Sequence, residues 1–339
     1  MSTLRGTADR RMIAYLGDGH GGDIDTAKRL VELAISAGCD GVVLPVRNVR
    51  QGYAEEAHAQ PVPDAQHNAL SLGEVLQELE LSAQELKDIR EICRDQVDFI
   101  GAPYDLQSFT DLEATDPDGY QIDPAVLKHT PLLEAIKGSA KPVLLVAGGC
   151  TEKDIEASIA ALDRKNVTLL HCVYAGQLEL EATGLWLVSR LREQFGLPMG
   201  YLGLEPGISG AIAAFAMGAG TVEKLFSIDG SSRKGAMGAG LDRDELRELA
   251  ATLTKLQESM AGEDSRIIFP DELAYSDDPR ASLVAGYDLP AGVVIEESML
   301  VVKLAAHGVD PSLLDYVKGR KLAYDVPADA PLTFGAIES

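Results

Sequence analysis

The side chains best suited to chemistry fall just beyond short apolar runs. Tyr15, Asp18 and His20 follow Met12–Leu16, in the segment Gly17-Asp18-Gly19-His20-Gly21-Gly22. Arg47 and Arg50 follow Gly41–Pro45, Gln121 and Asp123 end the run Tyr120–Ile122, and Cys150 lies beyond Pro142–Val146. His171 closes Val167–His171, Glu205 follows Met199–Leu202, and Asp229, Arg233 and Lys234 follow Thr221–Phe226. A histidine titrating near neutrality suits a general base, so His20 is a catalytic candidate, the alternative being a residue that orders a glycine-rich loop. Asp229 is the second catalytic candidate. Tyr15, Arg47, Gln121, His171 and Glu205 are candidates for binding a substrate or anion. For His171, a histidine that ends a buried strand beside Cys172, the more usual reading is a packed and satisfied core residue. The run Arg233-Lys234-Gly235-Ala236-Met237-Gly238-Ala239-Gly240 is basic and glycine-rich, suited to cradling a phosphate with backbone N–H groups, or simply a flexible loop. His20 with His171, Glu205 or Asp229 could form a metal site, but no spacing demands one and no metal ligand is assigned.

These candidates need elements that bring them to one place. Buried strand runs alternate with helical patterns. The helices are predicted at Ile24–Ala37, Leu70–Leu79, Ser82–Asp95, Asp105–Ala114, Ala125–Lys137, Thr151–Leu162, Glu181–Phe195, Gly207–Gly218 and Asp242–Met260. The polar stretch Arg47–Asn68 has no period and reads as a long excursion. Eight strand–helix units over residues 1–260 predict an α/β fold, a (β/α)8 TIM barrel, in preference to an open doubly wound sheet. Such a barrel gathers strand C-termini into one mouth, which is where the candidates lie. Residues 261–279 are rich in Asp, Glu, Ser and Pro and read as a linker. Residues 280–339 read as a small β-rich domain with strands at Ser282–Ala285 and Val293–Ile295 and a short helix at Pro311–Val317.

Composition narrows the function classes. The 339 residues carry a formal charge of −23, which excludes a nucleic-acid backbone or an anionic membrane as a natural partner. Residues 1–11 lack the apolar core of a signal peptide, and no apolar run reaches a membrane span. The four cysteines are scattered without a CxxC pair, so a reduced, cytoplasmic protein is expected.

Several segments carry a family likeness: Gly17–Asp23, Leu72–Ser82, Ala102–Ser108, Lys141–Gly149, Leu170-His171-Cys172, Gly200–Gly220, Glu223–Asp229 and the tail from Arg280. In order and spacing the chain resembles the sialic acid (N-acetylneuraminate) synthases, which join a TIM barrel to a C-terminal antifreeze-like, or SAF, domain. The resemblance implies condensation of phosphoenolpyruvate with an N-acyl amino sugar. It also implies a divalent metal such as Mn or Mg held by two histidines, lysines that hold the anionic substrate, and a homodimer in which each SAF domain caps the partner's barrel.

The residues depart from that pattern where the chemistry lies. The family's GYSDHT segment reads Gly200-Tyr201-Leu202-Gly203-Leu204-Glu205, and its EKHF reads Glu223-Lys224-Leu225-Phe226, so leucines hold both metal-histidine positions. Val43 and Gln121 stand in place of lysines, Pro124 and Val126 in place of a serine and a glutamate, and Tyr15 in place of the glutamate after the first strand. The loop Met237–Leu241 lacks a third lysine. His20, Asp105, His171, Glu223, Lys224 and Asp229 are retained, and Arg280 lies close to a substrate-binding arginine of the family. No cofactor is predicted. Three readings follow: a diverged member that binds a small polar sugar or sugar-acid ligand in the mouth, a non-catalytic partner in sugar-acid biosynthesis, or a genuine synthase with a rebuilt site.

Overall fold

A computed structural model describes residues 4–6, 10–61, 70–175, 178–228, 240–262, 269, 272 and 279–338. The chain divides into two compact units, Met1–Gly262 and Glu263–Ser339.

In the first unit the strands β1 (Arg11–Tyr15), β2 (Gly41–Val46), β3 (Asp98–Pro103), β4 (Gly119–Ile122), β5 (Val143–Ala147), β6 (Val167–His171), β7 (Met199–Gly203) and β8 (Thr221–Leu225) form a closed parallel barrel in sequence order. Closure is made by β1 on β8, with Arg11 opposite Thr221 and Tyr15 opposite Leu225. This is the (β/α)8 barrel expected from the repeated alternation.

Strand side chains alternate between two cores, as the two-residue period requires. Met12, Ala14 and Leu16 pack outward with Leu30, Ala34 and Phe226 against the helices. Ile13, Tyr15, Val43, Ile100, Leu144, Val146, Leu170, Cys172, Leu202, Leu204 and Leu225 fill the barrel itself. Leu4 joins that inner cluster from the segment before β1.

The outer layer consists of α1 (Ile24–Ala37), α2 (Val49–Gly52), α3 (Glu55–His58), α4 (Leu72–Glu78), α5 (Ala83–Cys93), α6 (Leu106–Glu113), α7 (Thr130–Ser139), α8 (Glu152–Ala161), α9 (Leu187–Phe195), α10 (Ser209–Ala216) and α11 (Arg243–Met260). Their ends are written in the sequence. Asp23 caps α1, and Gly38 ends it at φ 90°. Ser71 with Glu74, Ser82 with Glu85, Thr151 with Asp154 and Asp242 with Glu245 form reciprocal capping boxes on α4, α5, α8 and α11. Each such cap stabilises its helix by about 1 kcal/mol. Gly22 (φ 78°) shows why the loop after β1 is glycine-rich: a Cβ there would lie 1.7 Å from the Glu78 carbonyl oxygen.

Three helix and strand expectations need correction. The predicted helix Ala125–Lys137 is a 3₁₀ turn, Pro124–Val126, followed by α7, because His129 caps a new start ahead of Pro131. The predicted helix Glu181–Phe195 is likewise a 3₁₀ turn, Leu180–Ala182, then α9, broken at Gly184 with φ 59°. In the second unit the expected strand Val293–Ile295 is not one: β9 (Arg280–Ala285) pairs with β10 (Leu300–Ala305), antiparallel, with Leu283 opposite Val302. Ile295 instead serves the small core of Leu283, Val317, Leu322 and Leu332, and Val294 makes only an isolated bridge to Lys321. No described helix is long and apolar enough to cross a membrane.

Candidate active site

The polar centre of the barrel is built around Asp123, which follows β4 and is buried. Tyr15 at the end of β1 and Tyr104 after β3 both donate to its Oδ2, at 2.9 and 2.7 Å. Gln121 donates from Nε2 to its Oδ1 at 2.9 Å, and the same nitrogen reaches Glu223 Oε1 on β8 at 3.1 Å. Three donors thus converge on one carboxyl, whose two oxygens accept from all of them. Burial and the neighbouring Asp123 push Glu223 well above the usual carboxylate range, while the Gln121 hydrogen bond opposes that shift. That shift favours the neutral carboxylic acid over the carboxylate in the folded barrel. Gln121 Oε1 and Glu223 Oε2 have no hydrogen-bond partner.

Arg47 sits beside this centre, not within it. Its Nη1 donates to Asp18 Oδ1 at 2.7 Å, and its guanidinium lies 4.5 Å from the centre of the Tyr104 ring. Tyr174, 38% exposed, lies beside Tyr104 on the outer side of this group. His20 is buried; its Nδ1 accepts the Gly22 N–H at 3.0 Å, and burial holds its pKa below the ordinary value. Its visible contact orders the loop after β1.

A second polar group lies on the outward faces of β6, β7 and β8. Lys224 and Glu205 form a fully buried ion pair at 3.0 Å. The geometry at Glu205 Oε1 is that of an ion pair without a well-aligned hydrogen bond, because that oxygen has no aligned donor. Glu205 Oε2 accepts from Tyr201 at 2.8 Å, and the Lys224 ammonium also donates to the Glu205 carbonyl. Burial lowers the Lys224 pKa and Glu205 opposes the shift. Tyr201 packs with Val188, Ala214 and Ala219, between β7 and the helices. His171 stacks 6.0 Å from the Tyr201 ring, with Nε2 2.8 Å from the Thr183 carbonyl oxygen.

The structure thus joins Tyr15 and Gln121 through Asp123, with Arg47 and His20 at the margin. It collects His171 and Glu205 in the separate outer group. Arg280 is exposed on β9 of the second unit. Asp229, Arg233 and Lys234 lie outside the described residues. Among the described residues no group of three or more His, Cys, Asp or Glu side chains is placed to hold a metal ion.

Sequence reasoning did not single out Tyr104 or Glu223 as site residues. Glu223 did carry a signal, since it shares the inward face of β8 with Leu225 at a spacing of two. Leu204 and Leu225 are both buried in the inner cluster with Val43 and Tyr15. The register of Gly203 opposite Lys224 sets Leu204 opposite Leu225 as the next pair.

A closed eight-stranded barrel with buried carboxyls at its strand ends defines the class: a TIM-barrel protein with a polar centre at the C-terminal side of the strands. Residues 30–265 match the NeuB family model, and the chain belongs to that family. It is 28% identical to an N,N'-diacetyllegionaminic acid synthase of Campylobacter jejuni, over 88% of this chain and 91% of that protein. It is 25% identical to the N-acetylneuraminate-9-phosphate synthase of Mus musculus, over 97% and 92% respectively. Among solved structures, a spore coat polysaccharide biosynthesis protein E from Chromobacterium violaceum matches with a TM-score of 0.79. That match has 19% identity and covers 97% of this chain and all of the other, which shows the shared fold. The homologues are thus sugar-acid synthases, and the resemblance read from the motifs holds at the level of the family.

Proposed function

We propose that this protein is a diverged member of its family that binds a small polar ligand at the barrel mouth without the two-histidine metal site. The observation that carries the reading is the pair Leu204 and Leu225, packed in the apolar inner cluster where the resemblance sets metal-binding histidines. Leucine has no lone pair to offer, so the residues present do not fit that metal. Val43 and Gln121 withdraw two positive charges from the same interior, and Asp123 and Glu223 leave it acidic. That balance disfavours phosphoenolpyruvate, an anion that needs converging cations. A polar hydroxylated ligand, by contrast, suits a wall of tyrosine, glutamine and carboxyl groups.

The test is direct. The full chain is incubated with phosphoenolpyruvate, N-acetylmannosamine and Mn²⁺, and phosphate release is followed beside an active synthase of the family. No release above background is expected, and appreciable turnover overturns the reading in favour of a rebuilt synthase site. A second reading, a non-catalytic partner in sugar-acid biosynthesis, is favoured by the same apolar filling of the mouth. We also propose a cytoplasmic homodimer in which the C-terminal unit, SAF-like by resemblance, covers the partner's barrel. The exposed apolar side chains of β10, Val302 and Leu304, support that assembly.

A further inference from the structure

Inside the barrel, two carboxyl groups lie close together with no cation paired to either among the described residues. Gln121 bridges Asp123 and Glu223 through a single amide nitrogen. This leaves Gln121 Oε1 without a donor and Glu223 Oε2, the oxygen that bears the proton of the neutral acid, without an acceptor, on side chains that are fully buried. Buried polar atoms without partners are costly and call for one. The nearby cations are committed elsewhere: Arg47 is held by Asp18, and Lys224 faces outward and is held by Glu205. Around these two atoms, Asp123 follows β4, β1 supplies Tyr15, β6 is followed by Cys172, and β7 supplies Leu202 with Leu204 beyond it.

We propose that Gln121 and Glu223, with Asp123, form the subsite for a primary ammonium group on a small hydroxylated ligand, an amino sugar whose amine is free. This rests on the reading that the mouth binds a small polar ligand. An ammonium brings three N–H donors, which match Gln121 Oε1, Glu223 Oε2 once it has lost its proton, and a remaining lone pair of Asp123. Its charge offsets the carboxyls in a low-dielectric interior. A hydroxyl offers one donor and no charge. An N-acylated amine offers one donor, no charge and added bulk.

The proton balance gives this binding a signature. Glu223 is a neutral acid before binding, and an incoming ammonium favours its carboxylate, so the Glu223 proton leaves to solvent while the ligand keeps all of its own. The other titratable groups facing Glu223 do not supply that proton. Asp123 already accepts three hydrogen bonds, and burial pushes the Tyr15 hydroxyl and the Cys172 thiol upward, which leaves both neutral near neutral pH.

The experiment is calorimetry on the full chain near neutral pH, in two buffers of different ionisation heat, with mannosamine as the probe. N-acetylmannosamine, mannose, ammonium chloride and phosphoenolpyruvate are run beside it. Expected are release of about one proton per mannosamine bound and affinities at least about tenfold weaker for N-acetylmannosamine, mannose and the free ammonium ion. Glu223→Gln should abolish proton release. Gln121→Lys, which sets an ammonium on the chain itself, should abolish mannosamine binding while circular dichroism confirms the fold. If N-acetylmannosamine or mannose binds as well as mannosamine, the polar-ligand reading stands and the ammonium subsite is overturned. Equal binding of ammonium chloride overturns the sugar as its carrier. Binding of phosphoenolpyruvate alone overturns the underlying reading, and no binding of mannosamine, or binding without proton release, overturns the subsite.

Discussion

Replacing Glu223 with glutamine should make the barrel more stable, and increasingly so as pH rises. Glu223 is fully buried, its carboxyl is raised well above its ordinary value of 4.5 by burial and then by Asp123, and no cation offsets that shift among the described residues. The sign follows from proton counting. Below about pH 4.5 the group is protonated in both the folded and unfolded chain and contributes no difference. Above that value the unfolded chain releases its proton while the folded chain keeps it, so stability falls as pH rises until the folded pKa is passed. One proton corresponds to about 1.4 kcal/mol per pH unit, hence about 3 kcal/mol between about pH 5 and about pH 7 while Glu223 stays protonated. Glutamine keeps the shape and the donor and cannot ionise. Urea unfolding of both proteins, followed by far-ultraviolet circular dichroism across that range, reads the difference directly. The other titrating groups are common to both proteins and cancel to first order. A stability difference that stays flat with pH would refute the claim that Glu223 is an unpaired buried acid.

Two further substitutions test the remaining architecture. Lys224→Met strands Glu205 in the seam between β7, β8 and the helices, and should cost about 3–5 kcal/mol, with Lys224→Met/Glu205→Leu recovering part of the loss. A chevron or equilibrium unfolding series measures both, and an unchanged midpoint for Lys224→Met would exclude a structural role for the pair. Leu204→His/Leu225→His places two imidazoles opposite each other on β7 and β8. It should lose several kcal/mol without metal, about 2 or more per side chain, and regain midpoint temperature with Mn²⁺ or Zn²⁺. A double variant that binds neither ion would show that these two positions do not converge.

The barrel was legible in the sequence because its determinants are local. Ser82 with Glu85 and Thr151 with Asp154 announce helix starts, Gly38 announces a stop, and runs such as Val143–Ala147 announce strands buried on both faces. The errors have the same origin. Pro131 and Gly184 lie inside stretches whose apolar spacing still looks helical, so periodicity merged a 3₁₀ turn and a helix into one element. The pairing of β9 with β10 passes over Val293–Ile295, whose Ile295 is drawn into the core of the second unit instead. Which of two apolar runs pairs is settled by packing across the unit, a non-local cost that no window of sequence contains.

The site was legible by position and less so by direction. His171 and Glu205 both lie at strand ends, as Tyr15 and Gln121 do, yet one residue of register decides whether a side chain enters the barrel or leaves it. Leu170 and Cys172 point in, so His171 between them points out, to Tyr201 and the Thr183 carbonyl. The same parity sets Glu223 in and Lys224 out, and it separates a carboxylic acid from the ammonium adjacent to it in sequence. The charge of −23 does not say where the acidic side chains lie. The alternation of β8 carries that acidity into the interior as well, by sending the lysine to Glu205 and leaving Glu223 to share Gln121 with Asp123. What the mouth can bind is decided by that parity more than by the number of basic residues in the chain.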